Sequence, residues 1–122
     1  MKKKQERPTD VLLVDDDNAG LAMLSLALRQ SGLSVVACIS PAAALAELGN
    51  GRFRWLVTDA RMSPLDGFSL ADAAKRLAPD IRIVMISASC GVDDIHGRPI
   101  ERLFTKPVPV ETLSAYLAGP PR

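Results

Sequence analysis

Residues 11–18, Val-Leu-Leu-Val-Asp-Asp-Asp-Asn, set four apolar side chains directly before three consecutive carboxylates. An uninterrupted apolar run of this length reads as a strand buried on both faces, the habit of parallel sheets rather than of half-exposed antiparallel ones. Three adjacent carboxylates repel one another unless water, a cation or a positive side chain compensates. The end of this strand is therefore either a solvated cap or a site, and the rest of the chain has to decide between them.

Working outward, the same alternation repeats. Asp17 is placed to cap a helix running to about Gln30, with Leu21, Leu24 and Leu28 on one face and Ser31-Gly32 ending it. Val35 to Ile39 is strand-like; Ser40-Pro41 reads as an N-cap followed by proline in the first turn, opening a helix over Ala42 to Leu48 that Gly49-Asn50-Gly51 closes. Phe53 to Thr58 is a third strand, followed by a loop holding Pro64 and Gly67, then a helix from Phe68 to Leu77 stopped at Pro79-Asp80. Ile81 to Ile86 is the fourth strand, Leu103 to Thr105 a brief fifth, and Val110 to Leu117 a last helix begun near Pro109. Strand followed by helix, five times over, predicts an α/β fold whose parallel sheet is covered on both faces. There is no internal repeat and no linker, so one folded domain is expected over residues 9–118, between a basic N-terminal tail (1–8) and a C-terminal tail or start of a linker (119–122).

Composition agrees. The chain has 122 residues, 48% hydrophobic and 24% charged, with a formal net charge of +1. A chain of this length buries roughly two thirds of its unfolded surface around a single core. Lys2, Lys3, Lys4 and Arg7 against Glu6 make the start basic. Such a run can touch nucleic acid or an anionic membrane, but a solvated, mobile tail is the simpler reading. No apolar run reaches the roughly 20 residues of a membrane span, and no secretory signal pattern follows the lysines, which points to the cytoplasm. Cys38 lies in a strand-like run and Cys90 in a polar loop; without metal-ligand spacing they read as reduced thiols.

In doubly wound sheets ligands bind beyond the carboxyl ends of the strands. Asp15 and Asp16 follow the first strand, Asp59 the third, Ser87 the fourth and Lys106 the fifth, all on one rim. Singly, each has a plain explanation: aspartates cap helices, serine begins turns, lysine keeps a sheet edge soluble. Their coincidence at four strand ends is hard to obtain by capping alone. Three carboxylates suit a hard divalent cation such as Mg²⁺, and lysine and hydroxyl donors suit phosphoryl oxygens. A carboxylate can itself accept the phosphoryl group as an acyl phosphate.

The stretches VLLVDDD (11–17), LVTDARMSPLDG (56–67), IVMISAS (83–89) and LFTKPV (103–108) together resemble the receiver domains of two-component response regulators, over Thr9 to Ala118. That resemblance implies a flavodoxin-like sheet in strand order 2-1-3-4-5, with Asp59 as acceptor of a phosphoryl group from the phosphohistidine of a histidine kinase or phosphotransfer protein. It implies that Asp15 and Asp16, with Asp59 and the Arg61 backbone carbonyl, hold Mg²⁺ (or Mn²⁺), that Ser87 and Lys106 reach phosphoryl oxygens, and that the Lys106-Pro107 bond is cis. It further implies a switch that repacks the surface around the fourth helix, fifth strand and fifth helix, a surface that can also form a homodimer. No DNA-binding element and no membrane segment is expected in this chain.

Three departures from the family pattern stand out. Leu103 occupies a position usually aromatic, and Phe104 falls on the opposite face of the strand. Residues 88–102, ASCGVDDIHGRPIER, are broken by Gly91, Gly97 and Pro99, so the fourth helix is expected to keep one or two turns at most. Arg61 stands two residues after the acceptor, with Ser63 where proline is common; its side chain could shield an acyl phosphate or pair with Asp66. His96 reads as plain surface, and Trp55 and Met62 as core. Two rival readings carry their own marks: a degenerate receiver serving only as an interaction module, and a haloacid-dehalogenase-like phosphatase. The latter wants a D-x-D-x-[TV] pattern where this chain has Asp15, Asp17 and Ala19, and it usually carries a cap domain.

Overall fold

The run Val11–Val14 forms the inner part of β1 (Thr9–Val14), the second of five strands across a parallel sheet, in the computed structural model, which describes residues 7–119. The lysine-rich start and the last three residues, on which the tail expectations rest, lie outside the described residues. The remaining elements are α1 (Asn18–Gln30), β2 (Val35–Cys38), α2 (Pro41–Asn50), β3 (Phe53–Asp59), α3 (Gly67–Leu77), β4 (Arg82–Ser87), α4 (Val92–Ile95), β5 (Arg102–Thr105) and α5 (Val110–Leu117). The strand order is β2-β1-β3-β4-β5, all pairs parallel, with Val14 level with Cys38 and Thr58, and Asp59 level with Ile86.

Alternate residues of each buried strand feed two separate cores, which is why the strands read as continuously apolar. On one face Leu12, Val14, Leu56, Ile83 and Met85 pack with Ala44 and Leu48 of α2 and Leu70, Ala71 and Ala74 of α3. On the other, Val11, Leu13, Trp55, Val57 and Val84 pack with Leu21 and Leu28 of α1 and Leu113 and Leu117 of α5. Burying each large aliphatic side chain stabilises by about 1.5–3 kcal/mol before the entropy of ordering is counted. Trp55 is 1% exposed, and its indole N–H donates to the Leu117 carbonyl at 3.0 Å, tying α5 to the sheet. Met62 is buried as well.

The helix starts are set by their caps. Asp17 accepts from the Gly20 N–H (3.0 Å), Ser40 from Ala43 (3.1 Å) and Asp66 from Ser69 (2.9 Å); each such cap is worth about 1 kcal/mol. Helix α2 runs two residues past Leu48, through Gly49 to Asn50, before Gly51 ends it.

Between β4 and β5 the helix is a single turn, Val92–Ile95, as the glycines and proline require. The chain then turns at Gly97, whose φ of +78° suits a residue without Cβ. It returns with the Arg98 guanidinium 4.7 Å from the Phe68 ring centre and 3.9 Å from the Asp72 carboxylate, so this segment leans on α3. In β5, Leu103 packs into the α2/α3 core and Phe104 into the α1/α5 core, the opposition expected of neighbours on a strand. The Lys106-Pro107 bond is cis, in keeping with the family resemblance, and Ser63-Pro64 is cis too.

Candidate functional site

The parallel ladder carries β1, β3, β4 and β5 to one rim, and short backbone bonds fix the chain as it leaves each strand. The Asp15 N–H donates to the Cys38 carbonyl (3.2 Å), Ala60 to Ile86 (3.0 Å) and Lys106 to Ser87 (3.0 Å), so the residues just past the strands stay in register. Here Asp15, Asp16 and Asp59 each offer a carboxylate oxygen within 4.8 Å of the others. Lys106 Nζ lies 3.1 Å from Asp59 Oδ1, and the Asp59 side chain is only 12% exposed.

Three carboxylates against one ammonium leave the cluster electrostatically unbalanced. Partial burial raises the Asp15 pKa above its ordinary value, with repulsion from Asp59 and Asp17 adding to it and the Asp17 N–H and Lys106 working against it. Burial also works against the Lys106 ammonium, but its hydrogen bond to Asp59 and the attraction of Asp59, Asp15 and Asp17 prevail and hold its pKa above the usual lysine range. Such a set of hard oxygen donors with surplus negative charge fits Mg²⁺.

Ser87 ends β4 almost fully buried, and its Oγ accepts from the Ser89 N–H (3.1 Å) and the Cys90 N–H (3.0 Å). With both acceptor positions engaged, the hydroxyl proton is what remains to be donated. Two hollows flank the rim. One, of about 230 Å³, is lined by Asp15, Asp17, Gly20, Asp59 and Lys106 among others; a second, of about 550 Å³, is lined by Asp16, Arg61, Ser63, Asp66, Phe68 and Cys90 among others.

Asp17 is committed to the α1 cap, which separates it from Asp15 and Asp16 in role. Asp66 is likewise spent on α3, and Arg61 turns elsewhere: its Nε donates to Ser89 Oγ at 3.2 Å. His96 is exposed at the end of α4. Two residues of consequence are not evident from the sequence. Ser89 belongs to a strand-end stretch, and nothing in its spacing marks a partner. Gly67 has the look of a plain turn residue, yet its N–H donates to the Ala60 carbonyl (2.9 Å), and a Cβ there would lie 2.1 Å from the Asp59 carbonyl oxygen. A glycine placed just before an apolar helix and eight residues after Asp59 is the available signal.

Comparison with known proteins agrees with this geometry. Residues 11–118 match the response regulator receiver domain family. The transcriptional regulatory protein GlrR of Escherichia coli is 31% identical over 110 residues, 88% of this chain and 25% of that protein. The transcriptional regulatory protein PrrA of Mycobacterium tuberculosis is 38% identical over 84 residues, 69% of this chain and 36% of that protein. The chain thus spans about a quarter to a third of the length of these relatives. A CheY-like receiver domain from Methanospirillum hungatei superposes with a TM-score of 0.83 at 22% identity, covering 91% of each chain. Strand order, rim chemistry and the family match converge, and the chain belongs to the receiver domains of two-component response regulators.

Proposed function

We propose that this domain, residues 9–118, is a signalling switch in which Asp59 accepts a phosphoryl group from the phosphohistidine of a histidine kinase or phosphotransfer protein. The observation that carries the reading is the Lys106 ammonium 3.1 Å from Asp59 Oδ1, beside two further carboxylates within 4.8 Å. An Asp59 oxygen bonds to phosphorus as the phosphorus–nitrogen bond breaks, and the imidazole leaves with the electron pair. Lys106 is the counter-charge for the oxygens of the transferred group, and the Ser87 hydroxyl donates to one of them. Asp15, Asp16, Asp59 and the Arg61 carbonyl would hold Mg²⁺ or Mn²⁺, which when bound neutralises charge on the carboxylates and the incoming phosphoryl oxygens.

The same contacts suggest how the switch is thrown. Ser87 Oγ is bonded to the N–H groups of Ser89 and Cys90, so a hydroxyl drawn toward a phosphoryl oxygen pulls the start of the β4–β5 segment with it. Phosphorylation then shifts the population between two arrangements of that segment. The module acts in the cytoplasm on its own Asp59 rather than on a turned-over substrate, and partner choice and any homodimer are set by its surfaces.

Incubation with acetyl phosphate or phosphoramidate and Mg²⁺ tests this. The expected outcome is one phosphoryl adduct by intact mass, labile to base and absent from Asp59→Asn. No adduct with either donor would leave only the interaction-module reading, and steady hydrolysis of unrelated phosphomonoesters would favour a phosphatase.

A further inference from the structure

We propose that the free edge of β2, with the exposed face of α1 beside it, pairs with the same edge of a second copy of this chain.

The sheet has two outer strands, and they are guarded differently. Glu101, Arg102, Lys106 and Pro107 lie in or beside β5, the charges and proline that discourage edge-to-edge pairing. β2, with Ile39 after it, carries none of these. The Ser34 and Cys38 carbonyls accept from Val11 of β1 and from Asp15 just past it, so the alternation of a parallel ladder turns the backbone of Val35, Ala37 and Ile39 outward. Arg29 Nη2 covers the Val35 carbonyl at 2.9 Å, whereas the N–H and carbonyl of Ala37 have no partner among the described residues.

The surroundings of this edge are as poor in charge as the edge itself. From Asn18 to Gly51 the only charged side chains are Arg29 and Glu47, in a chain that is 24% charged. Met23 and Leu26 of α1 are 73% and 57% exposed, and Ile39 is 54% exposed. Ala37 is level with Leu13, which packs toward α1, so the side chains of Ala37 and, two residues on, Ile39 lie on the α1 side of the sheet. Large exposed apolar side chains beside an unguarded edge mark a contact surface.

A second copy is the occupant that fits. About a two-fold axis normal to the sheet at Ala37, the two β2 strands run antiparallel, each Ala37 exchanges both backbone bonds with the other, and Val35 stands opposite Ile39. That axis keeps each helix on its own side of the joined sheet, so the two α1 helices lie antiparallel and cover Met23 and Leu26 of both copies. Their ends are complementary in charge: Arg29, in the last turn, comes beside the first turn of the other α1, which Asp17 caps and Asp16 precedes. Two short strands alone pair only marginally, and the helix pair supplies the apolar burial.

Sedimentation equilibrium of the whole unphosphorylated chain, over about three decades of concentration up to about 1 mM, should show a reversible monomer–dimer equilibrium. Ala37→Pro removes the outward N–H without touching the β1 ladder, and Met23→Lys sets a charge on an exposed helix position. Each should weaken association by about tenfold or more, with circular dichroism confirming the fold. The Ala37 amide should exchange with deuterium more slowly at the highest concentration than at the lowest, which an edge left to solvent would not do. Leu77→Lys and Arg102→Glu, on other surfaces, should leave association unchanged. If Ala37→Pro does not fold, Met23→Lys and the Ala37 amide decide. A chain that stays monomeric throughout, a dimer lost in Arg102→Glu but kept in Met23→Lys, or an Ala37 amide that exchanges equally fast in the dimer overturns the proposal.

Discussion

Asp15 carries a cost that its position explains. Its carboxyl pKa sits above the ordinary value because the group is partly buried and has Asp59 and Asp17 for neighbours. For a group shifted upward, the stabilising proton is fully bound below the unfolded value, near 3.8, and is lost as pH rises through the folded value. At neutral pH the ionised Asp15 therefore works against the fold, a cost that fits the cation-holding role proposed for it. Asp15→Asn keeps an oxygen to accept the Asp17 N–H and removes the charge. It should raise the Tm of the metal-free protein and abolish the further rise that Mg²⁺ gives the wild type, both read by thermal scans with and without the metal. A lower Tm without metal would mean that the carboxylate is a structural ligand and not a strained one.

At the scale of elements, β3 and α3 meet at a close junction. Gly67 begins the helix so close to the Asp59 backbone that any side chain collides with main chain, which cannot rotate away as a flexible side chain would. Gly67→Ala should cost about 2–4 kcal/mol by denaturant titration and, in whatever remains folded, slow adduct formation by displacing Asp59. The run of residue types makes the elements themselves legible: strands buried on both faces, Asp17 and Ser40 as caps, and a fourth helix cut short by Gly91, Gly97 and Pro99. The rim residues are legible for the same reason, since strand ends in a parallel sheet share an edge. Pairings set by three-dimensional packing stay hidden. Arg61 meets Ser89, 28 residues away, and not the nearby Asp66, one oxygen of which caps α3. Arg98 lands on Phe68 through the path of a loop whose composition says only that it is irregular.

Across the whole molecule, two acids tie separate elements together. Asp10 accepts from the Ser34 N–H and hydroxyl and pairs with Arg54 of β3 at 3.1 Å. Glu101 accepts from Arg82 Nε and Nη2 of β4, at 3.0 and 2.7 Å, and from the Tyr116 hydroxyl of α5, while Arg82 also covers the Trp55 ring. Burial would raise both carboxyl pKa values, but hydrogen bonds prevail and lower them: to Ser34 and Arg54 for Asp10, to Arg82 and Tyr116 for Glu101. Groups shifted downward stabilise above the unfolded value and lose that contribution as pH falls through the folded one. Glu101→Gln should therefore be less stable than wild type at pH 7, by about 1 kcal/mol or less given its solvent exposure. The gap should close as pH falls below about 4.5, the ordinary glutamate value, in urea titrations across the acid range. A gap that persists at the lowest pH would assign the loss to packing.

The order in which the rim is filled along the chain has a consequence for biogenesis. Synthesis supplies Asp15 and Asp16 first, then Asp59, then Ser87, and Lys106 after every strand has been made. Domains fold as units, with the N-terminal parts available earliest. A nascent, stalled or clipped chain that lacks β5 carries the acids without the ammonium that balances them, and the Lys106 backbone bond that closes the rim at Ser87 is missing too. Under the proposed function, competence to receive a phosphoryl group would then report that the last strand has docked.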